Sequence, residues 1–335
     1  MKKSLFALIA ILAIQFAFGQ VTYKEKVTSD GFMGMGAFKS TTKTFLIDDA
    51  KRTETSLKFT GKFMKHFSPK GTEVSVVRLD KKLVWNWMLD TKKKTYTEQT
   101  FDEIKEVMEE GLADANQQMP EQDTDYESEY KWSKPKIKVE NLKESKEING
   151  FNCDHYLASV TTVGTHVETG VKDTMLFTAD LWNSKKISKE MDFVYKFNKR
   201  YLEALGIDIP ENAGLAMITG MYKDQMESLE KEIQKLDGYP IVNDMKLTMT
   251  KNAVPEAEEA EAEEENISLS DIKNDFGGLL GKKLMKDAAK KKEKEKTEES
   301  SVVTMIRIKS EITELNTEDI AATKFEVKKG YKLKK

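Results

Sequence analysis

Residues 150–159 read "GFNCDHYLAS" and hold the only cysteine of the chain, Cys153, with a histidine, His155, two positions on. This is either a nucleophile beside its base or a length of strand, and the choice decides what kind of molecule the chain makes. In a strand alternate side chains share a face. Phe151, Cys153, His155, Leu157 and Ser159 then fall on one side, and Asn152, Asp154, Tyr156, Ala158 and Val160 on the other. Cys153 lies in a mostly apolar row, where a free cysteine behaves as a small buried hydrophobe. His155 shares the row, but side chains two apart on a strand are separated by roughly 7 Å, too far for a thiol–imidazole pair. The chain has no "GxSxG" and no flanking signature of a catalytic cysteine. The stretch reads as a strand, and no catalytic residue is assigned.

Working outward, strand signals dominate both sides. Before it come "VTYKEKVTS", "KSTTKTFLID", "KRTETSLKF", "TEVSVVRLD", "KLVWNWMLD" and "KTYTEQT", short runs rich in Val, Thr and aromatics, joined by Asp- and Lys-containing links as in a meander of hairpins. The period then changes. In "TFDEIKEVMEEGL" Thr100 and Glu103 have capping-box spacing, and Phe101, Ile104, Val107, Met108 and Leu112 form a helical stripe. Residues 113–130 are acidic and poor in apolar residues, and read as a linker.

After it, "VKDTMLFTADLWN" continues the sheet. A helix is predicted from about Ser188, with Met191, Val194, Tyr195, Tyr201, Leu202 and Leu205 inward and a stop at Gly206. A second is predicted from Asn212 to Gly238, followed by a strand, "YPIVNDMKLTMTK". Composition breaks at 254–300, where an acidic block ("EAEEAEAEEE") precedes a basic one; such a segment rarely builds a core. Strand pattern returns in "SVVTMIRIKSEITEL" and "TKFEVKKGYKLKK", so 254–300 reads as a disordered insertion between two strands of one sheet. Within it, "FGGLLGKKLMKDAAKKK" could also form a short basic amphipathic helix on an anionic lipid surface. The domain plan is therefore 1–19, a single β-rich domain of 20–253 with 301–335, and the insertion.

The N-terminus carries Lys2 and Lys3, an apolar run from Leu5 to Ile14, and the small residues Ala17 and Gly19. That is the three-part pattern of a secretory signal peptide, with cleavage expected after Gly19, and the apolar run is too short to span a bilayer. The expected location is the periplasm or the extracellular medium, with no transmembrane segment after cleavage. A lone cysteine cannot pair within its own chain, so stability must come from packing. A formal net charge of −3 argues against general nucleic-acid binding.

Metal and phosphate signatures are weak. His66, His155 and His166 are scattered, and "HVE" at 166–168 offers two ligands where a site needs three or four. "GFMGMG" at 31–36 has no following "GK[ST]". No cofactor is expected. Two apolar features remain. In "KLVWNWMLD" Leu83, Trp85, Trp87 and Leu89 share one face, and read either as ordinary core or as the wall of a ligand site. In "GFMGMGAF" Phe32, Met33, Met35 and Phe38 are spaced by glycines, which suits a flap over a cavity or a bulged strand.

The segments "INGFNCDHYLASV", "ADLWNS", "LDGYPIVNDMKLTM" and "KFEVKKGYKLKK" together resemble the domain of unknown function 4412 family of exported bacterial proteins. Gly150, Cys153, Tyr156, Trp182, Gly238, Pro240, Phe325, Gly330 and Tyr331 match its short motifs, and Lys328 stands where proline is usual. That resemblance implies an α+β fold in which a curved antiparallel sheet, a half-barrel distantly similar to the lipoprotein carrier LolA, packs against a few helices. It also implies a lipid or lipoprotein as partner. The expectation taken into the structure is an exported, non-enzymatic protein. It would hold a lipid or acylated partner in an apolar groove lined by Leu83, Trp85 and Trp87 and gated by Met33 and Met35. The alternative is an envelope scaffold whose charged insertion recruits a protein partner that the sequence does not identify.

Overall fold

The computed structural model describes residues 19–34, 36–61, 64–108, 130–206, 232, 236–251 and 301–334. Within them the first six strands are β1 (Val21–Ser29), β2 (Phe38–Leu46), β3 (Ala50–Phe59), β4 (Glu73–Arg78), β5 (Leu83–Met88) and β6 (Thr95–Thr100). A helix, α1, follows over 101–108. Its capping box is formed: the Thr100 amide donates to Glu103 Oε2 at 2.7 Å and the Glu103 amide to Thr100 Oγ1 at 3.2 Å. Then come β7 (Tyr130–Trp132), β8 (Lys136–Ile148), β9 (Phe151–His166), β10 (Lys172–Ser184), helix α2 (Ser188–Ala204), β11 (Tyr239–Lys251), β12 (Ser301–Asn316) and β13 (Lys332–Leu333).

All thirteen strands belong to one sheet, in the order β13-β6-β5-β4-β3-β2-β1-β12-β11-β10-β9-β7, with β8 also paired to β9. The pairings are antiparallel except β13 with β6. β1 to β6 form the meander. β12 joins the two halves by pairing with β1 on one side and β11 on the other.

This architecture corrects the α+β half-barrel expected from the sequence. Strand makes up 57% of the described residues and helix of all kinds 17%, so the protein is mostly β. The sheet is open, with β13 at one end of the order and β7 at the other. Two things account for the difference. The strands β8 to β12 run 13 to 16 residues, longer than the short windows in which alternation is read. Period-two alternation also reports which side chains share a face and carries no information on whether a sheet curls or closes. The second helix expected at 212–238, the acidic linker and the 254–300 insertion all lie outside the described residues, apart from short ends.

Helix α2 packs on the sheet through Met191, Val194 and Phe197, with Leu205 at its end, against Val21, Leu46, Val77, Val84, Phe151 and Cys153. Phe197, absent from the predicted stripe, is only 1% exposed, whereas Tyr195 and Leu202 are half-buried. Phe101 of α1 joins the same cluster, edge-on to Tyr201 at 5.3 Å. On β4 and β5 the neighbouring residues Val76, Trp85 and Trp87 belong to a different cluster, with Ala50, Val74 and Phe325. Alternation on β5 therefore sends Val84 to the helix side and the indoles to the opposite face. There the chain after β12 covers them. No described helix is long and apolar enough to cross a membrane.

Candidate functional site

In the opening strand the thiol and the imidazole have different partners. Cys153 is 1% exposed, its Sγ donates to the Phe151 carbonyl at 3.3 Å, and burial pushes the thiol up from its usual range. His155 stacks on Trp182 at 4.0 Å, with Nδ1 2.9 Å from Glu144 Oε2 and Nε2 3.1 Å from Asp180 Oδ1. Lys146 Nζ stands 3.5 Å from the Trp182 ring centroid. The imidazole is thus held between two carboxylates and an indole. His66 is exposed, and His166 Nδ1 accepts the Thr169 amide.

The indole stripe divides. Trp85 is packed among Ala50, Val76 and Phe325, and its Nε1 donates to Glu98 Oε2 at 2.6 Å. Leu83 is half-buried at the margin of the same cluster. Trp87 is 4% exposed, lies edge-on to Tyr331 at 6.2 Å and carries the Arg52 guanidinium 5.1 Å from its ring centroid. Its Nε1 is buried and has no acceptor among the described residues. A buried donor without a partner costs about 1–3 kcal/mol, and Asn183 Oδ1, Glu190 Oε2 and Asn243 Oδ1 are likewise buried without a partner among the described residues.

The cap over this face is the C-terminal segment. Gln20 anchors its start, donating to Asp319 Oδ1 at 2.6 Å and accepting the Ile320 amide at 2.9 Å. Arg52 donates to the Lys324 carbonyl at 3.1 Å, and Arg78 reaches Glu326 Oε1 at 2.6 Å. Tyr331 Oη donates to the Met88 carbonyl at 3.2 Å. Phe325, 1% exposed, fills the space above Trp85 and Trp87.

Beyond that cap a cleft of about 390 Å³ opens at the end of the β5–β6 hairpin. Its walls include Glu73, Asn86, Trp87, Met88, Thr91, Tyr96 and Thr97, with Lys92, Lys93 and Lys334 also lining it. The volume is in the ~300–1,000 Å³ range of small-molecule sites. By strand alternation Glu73, Asn86, Met88 and Thr97 share one side of the sheet there, opposite the Trp87 side chain. Two other clefts differ in kind. One of about 650 Å³ beside Phe45 and Ile320 has its charges engaged, Arg52 with Glu54 and Lys324 with Glu54. One of about 520 Å³ lies between the β8–β9 turn and the start of α2, and is polar.

Of the residues singled out in the sequence, only Trp87 reaches the hairpin cleft. Met33 has φ +50° and donates its amide to the Met305 carbonyl, at the end of β1. β1 is four places from β5 in the sheet, roughly 19 Å at about 4.8 Å per strand. Met35 lies outside the described residues. Tyr96, Lys92, Lys93 and Lys334 were not singled out. The run "TKKKT" at 91–95 was a visible signal for the loop lysines, as three cations in one hairpin loop. Lys334 had none, because its place depends on β13 returning to β6.

No family model matches the chain, and no curated protein matches it. Among solved structures, that of PNGF-II in the C2 space group aligns with 44% of this chain and 21% of its own, at 12% identity and a TM-score of 0.16. The chain thus spans about a fifth of that structure's length, and the likeness is too slight to carry an argument.

Proposed function

We propose that the protein is an exported ligand-holding protein of the cell envelope, which takes up a lipid or the acyl chain of a modified partner in the cleft at the end of the β5–β6 hairpin. The signal-like pattern of residues 1–19 supports export. A holding role fits the opening strand, where Cys153 is buried and His155 is engaged with two carboxylates. The single observation that carries the reading is the cleft itself, about 390 Å³ at the end of the β5–β6 hairpin with Met88 on its wall and a mostly apolar exposed surface. The groove walled by both indoles is replaced by this cleft, since Trp85 is enclosed and its N–H satisfied.

The test is native mass spectrometry of the protein purified from its own host, followed by solvent extraction, together with uptake of a fluorescent fatty acid. A co-purifying amphiphile, and uptake that falls at least about fivefold in Met88→Asp relative to a folded control variant, are expected. Absence of both bound lipid and uptake would overturn the reading.

A further inference from the structure

The β8–β9 turn carries the one Asn-Gly pair of the chain, Asn149–Gly150. Ile148 is paired with Phe151, so these two residues are the whole turn, and both are exposed. The asparagine is also a clasp. Its Nδ2 donates to Glu311 Oε1 at 2.8 Å and to the Ile312 carbonyl at 3.0 Å. Both acceptors belong to β12, which stands three places from β9 in the sheet, roughly 14 Å at about 4.8 Å per strand. One side-chain amide thus ties together strands that do not pair, on the wall of the polar cleft that it shares with Glu190 and Glu314.

The same amide is open to chemistry. Asparagine is thermolabile, and a following glycine has no Cβ to keep its amide nitrogen from the asparagine Cγ. The Gly150 N–H has no hydrogen-bond partner among the described residues, and a Cβ on Gly150 would meet nothing within 4 Å, so water and base reach it from solvent. We infer that Asn149 is a site of spontaneous modification, at which deamidation through a succinimide opens the clasp between the β8–β9 turn and β12. The Gly150 nitrogen gives its proton to solvent base and bonds to Asn149 Cγ. The Cγ–Nδ2 bond breaks, and Nδ2 takes a proton from solvent and leaves as ammonia. Water then opens the ring at either carbonyl, giving aspartate or isoaspartate, so the net exchange is ammonia for water. Each product undoes the clasp. A carboxylate now faces the Glu311 carboxylate and the Ile312 carbonyl, both acceptors, so two hydrogen bonds are lost and like charges meet. Isoaspartate also adds a main-chain methylene to a two-residue turn, whose length sets the register of β8 on β9.

The purified protein is aged in mildly alkaline buffer and digested with trypsin, and the peptide of residues 147–172 is read by fragment mass spectrometry. Asn149 is expected to show the mass change of ammonia exchanged for water, and the peptide to split into two chromatographic species. Asn152, in the same peptide but held in β9, should stay intact. Gly150→Ala should lose the exchange over the same period. Asn149→Asp should melt below the parent, and adding Glu311→Gln should recover part of that loss by giving the new carboxylate a donor. The aged parent, compared with fresh protein, repeats the melting measurement without a variant. Intact Asn149 in folded protein, aged until a synthetic peptide of residues 147–157 has converted, would overturn the site, since the fold would then protect it. Aged protein or Asn149→Asp melting with the fresh parent would overturn the clasp.

Discussion

Trp85 and Trp87 are two residues apart on one face of β5, and their indole nitrogens have different surroundings. Trp85 Nε1 meets a carboxylate, and Trp87 Nε1 has no acceptor among the described residues. Replacing either by Phe removes the same volume, so the comparison isolates the hydrogen bond. Trp85→Phe should lower the unfolding free energy by about 1–2 kcal/mol more than Trp87→Phe, measured by urea denaturation, because only the former breaks a charge-assisted bond. Lys51 gives a second test. Its ammonium donates to Asn198 Oδ1 at 2.7 Å, and burial lowers its pKa to about 8. The unfolded chain, with an ordinary lysine near ~10.4, binds more protons between these values, so this group's contribution to stability rises as pH climbs through that window. Lys51→Met should therefore be the more stable protein at about pH 7, by roughly 1 kcal/mol, and lose that advantage by about pH 10.

At the scale of elements, turns set the register of the long strands. The β8–β9 hairpin is closed by Asn149 and Gly150, with φ +52° and +81°, the paired positive values of the favoured two-residue turn. Gly238 does a different job. At φ +84° it lets the chain enter β11, and a Cβ there would stand 2.7 Å from the Ser184 carbonyl carbon, whereas one on Gly150 would meet nothing within 4 Å. Gly150→Ala should cost about 1 kcal/mol, for backbone strain alone, and Gly238→Ala at least ~2 kcal/mol more, for strain plus the clash. Thermal unfolding of the two variants checks the order. The helix α2 was legible from its periodicity, but Phe197 escaped the predicted stripe because Tyr195 and Leu202 competed for the same face in the pattern. Only packing on Val21 and Leu46 assigns the inward edge.

At the scale of the molecule, segments distant in sequence are interlocked. Gln20 holds the segment at Asp319 and Ile320, Phe325 plugs the face of β3 to β5, and β13 closes on β6. Deleting residues 317–335 should uncover Trp85 and Trp87. Their fluorescence should shift to the red and a hydrophobic dye should bind, while the deletion lowers stability by more than the ~3–5 kcal/mol of a single buried Phe removal. An unshifted emission would mean that the sheet face is covered without this segment. The same return of the chain explains why the cleft was half visible. The loop lysines stand together in the sequence, while Lys334 lies some 240 residues away and joins them only through two parallel pairings.

By itself the sequence determined the local matters: a strand at 150–159, the meander of six strands before it, the capped start of α1 and the extent of α2. These follow from period, turn chemistry and capping, which act between residues near in sequence. Tertiary structure alone decided that the strands form one open sheet, that the two indoles of a single stripe have different surroundings, and that three lysines meet at one cleft. Each of these depends on which distant strands pair, and a side chain's alternation along its own strand says which way it points but not what arrives to cover it.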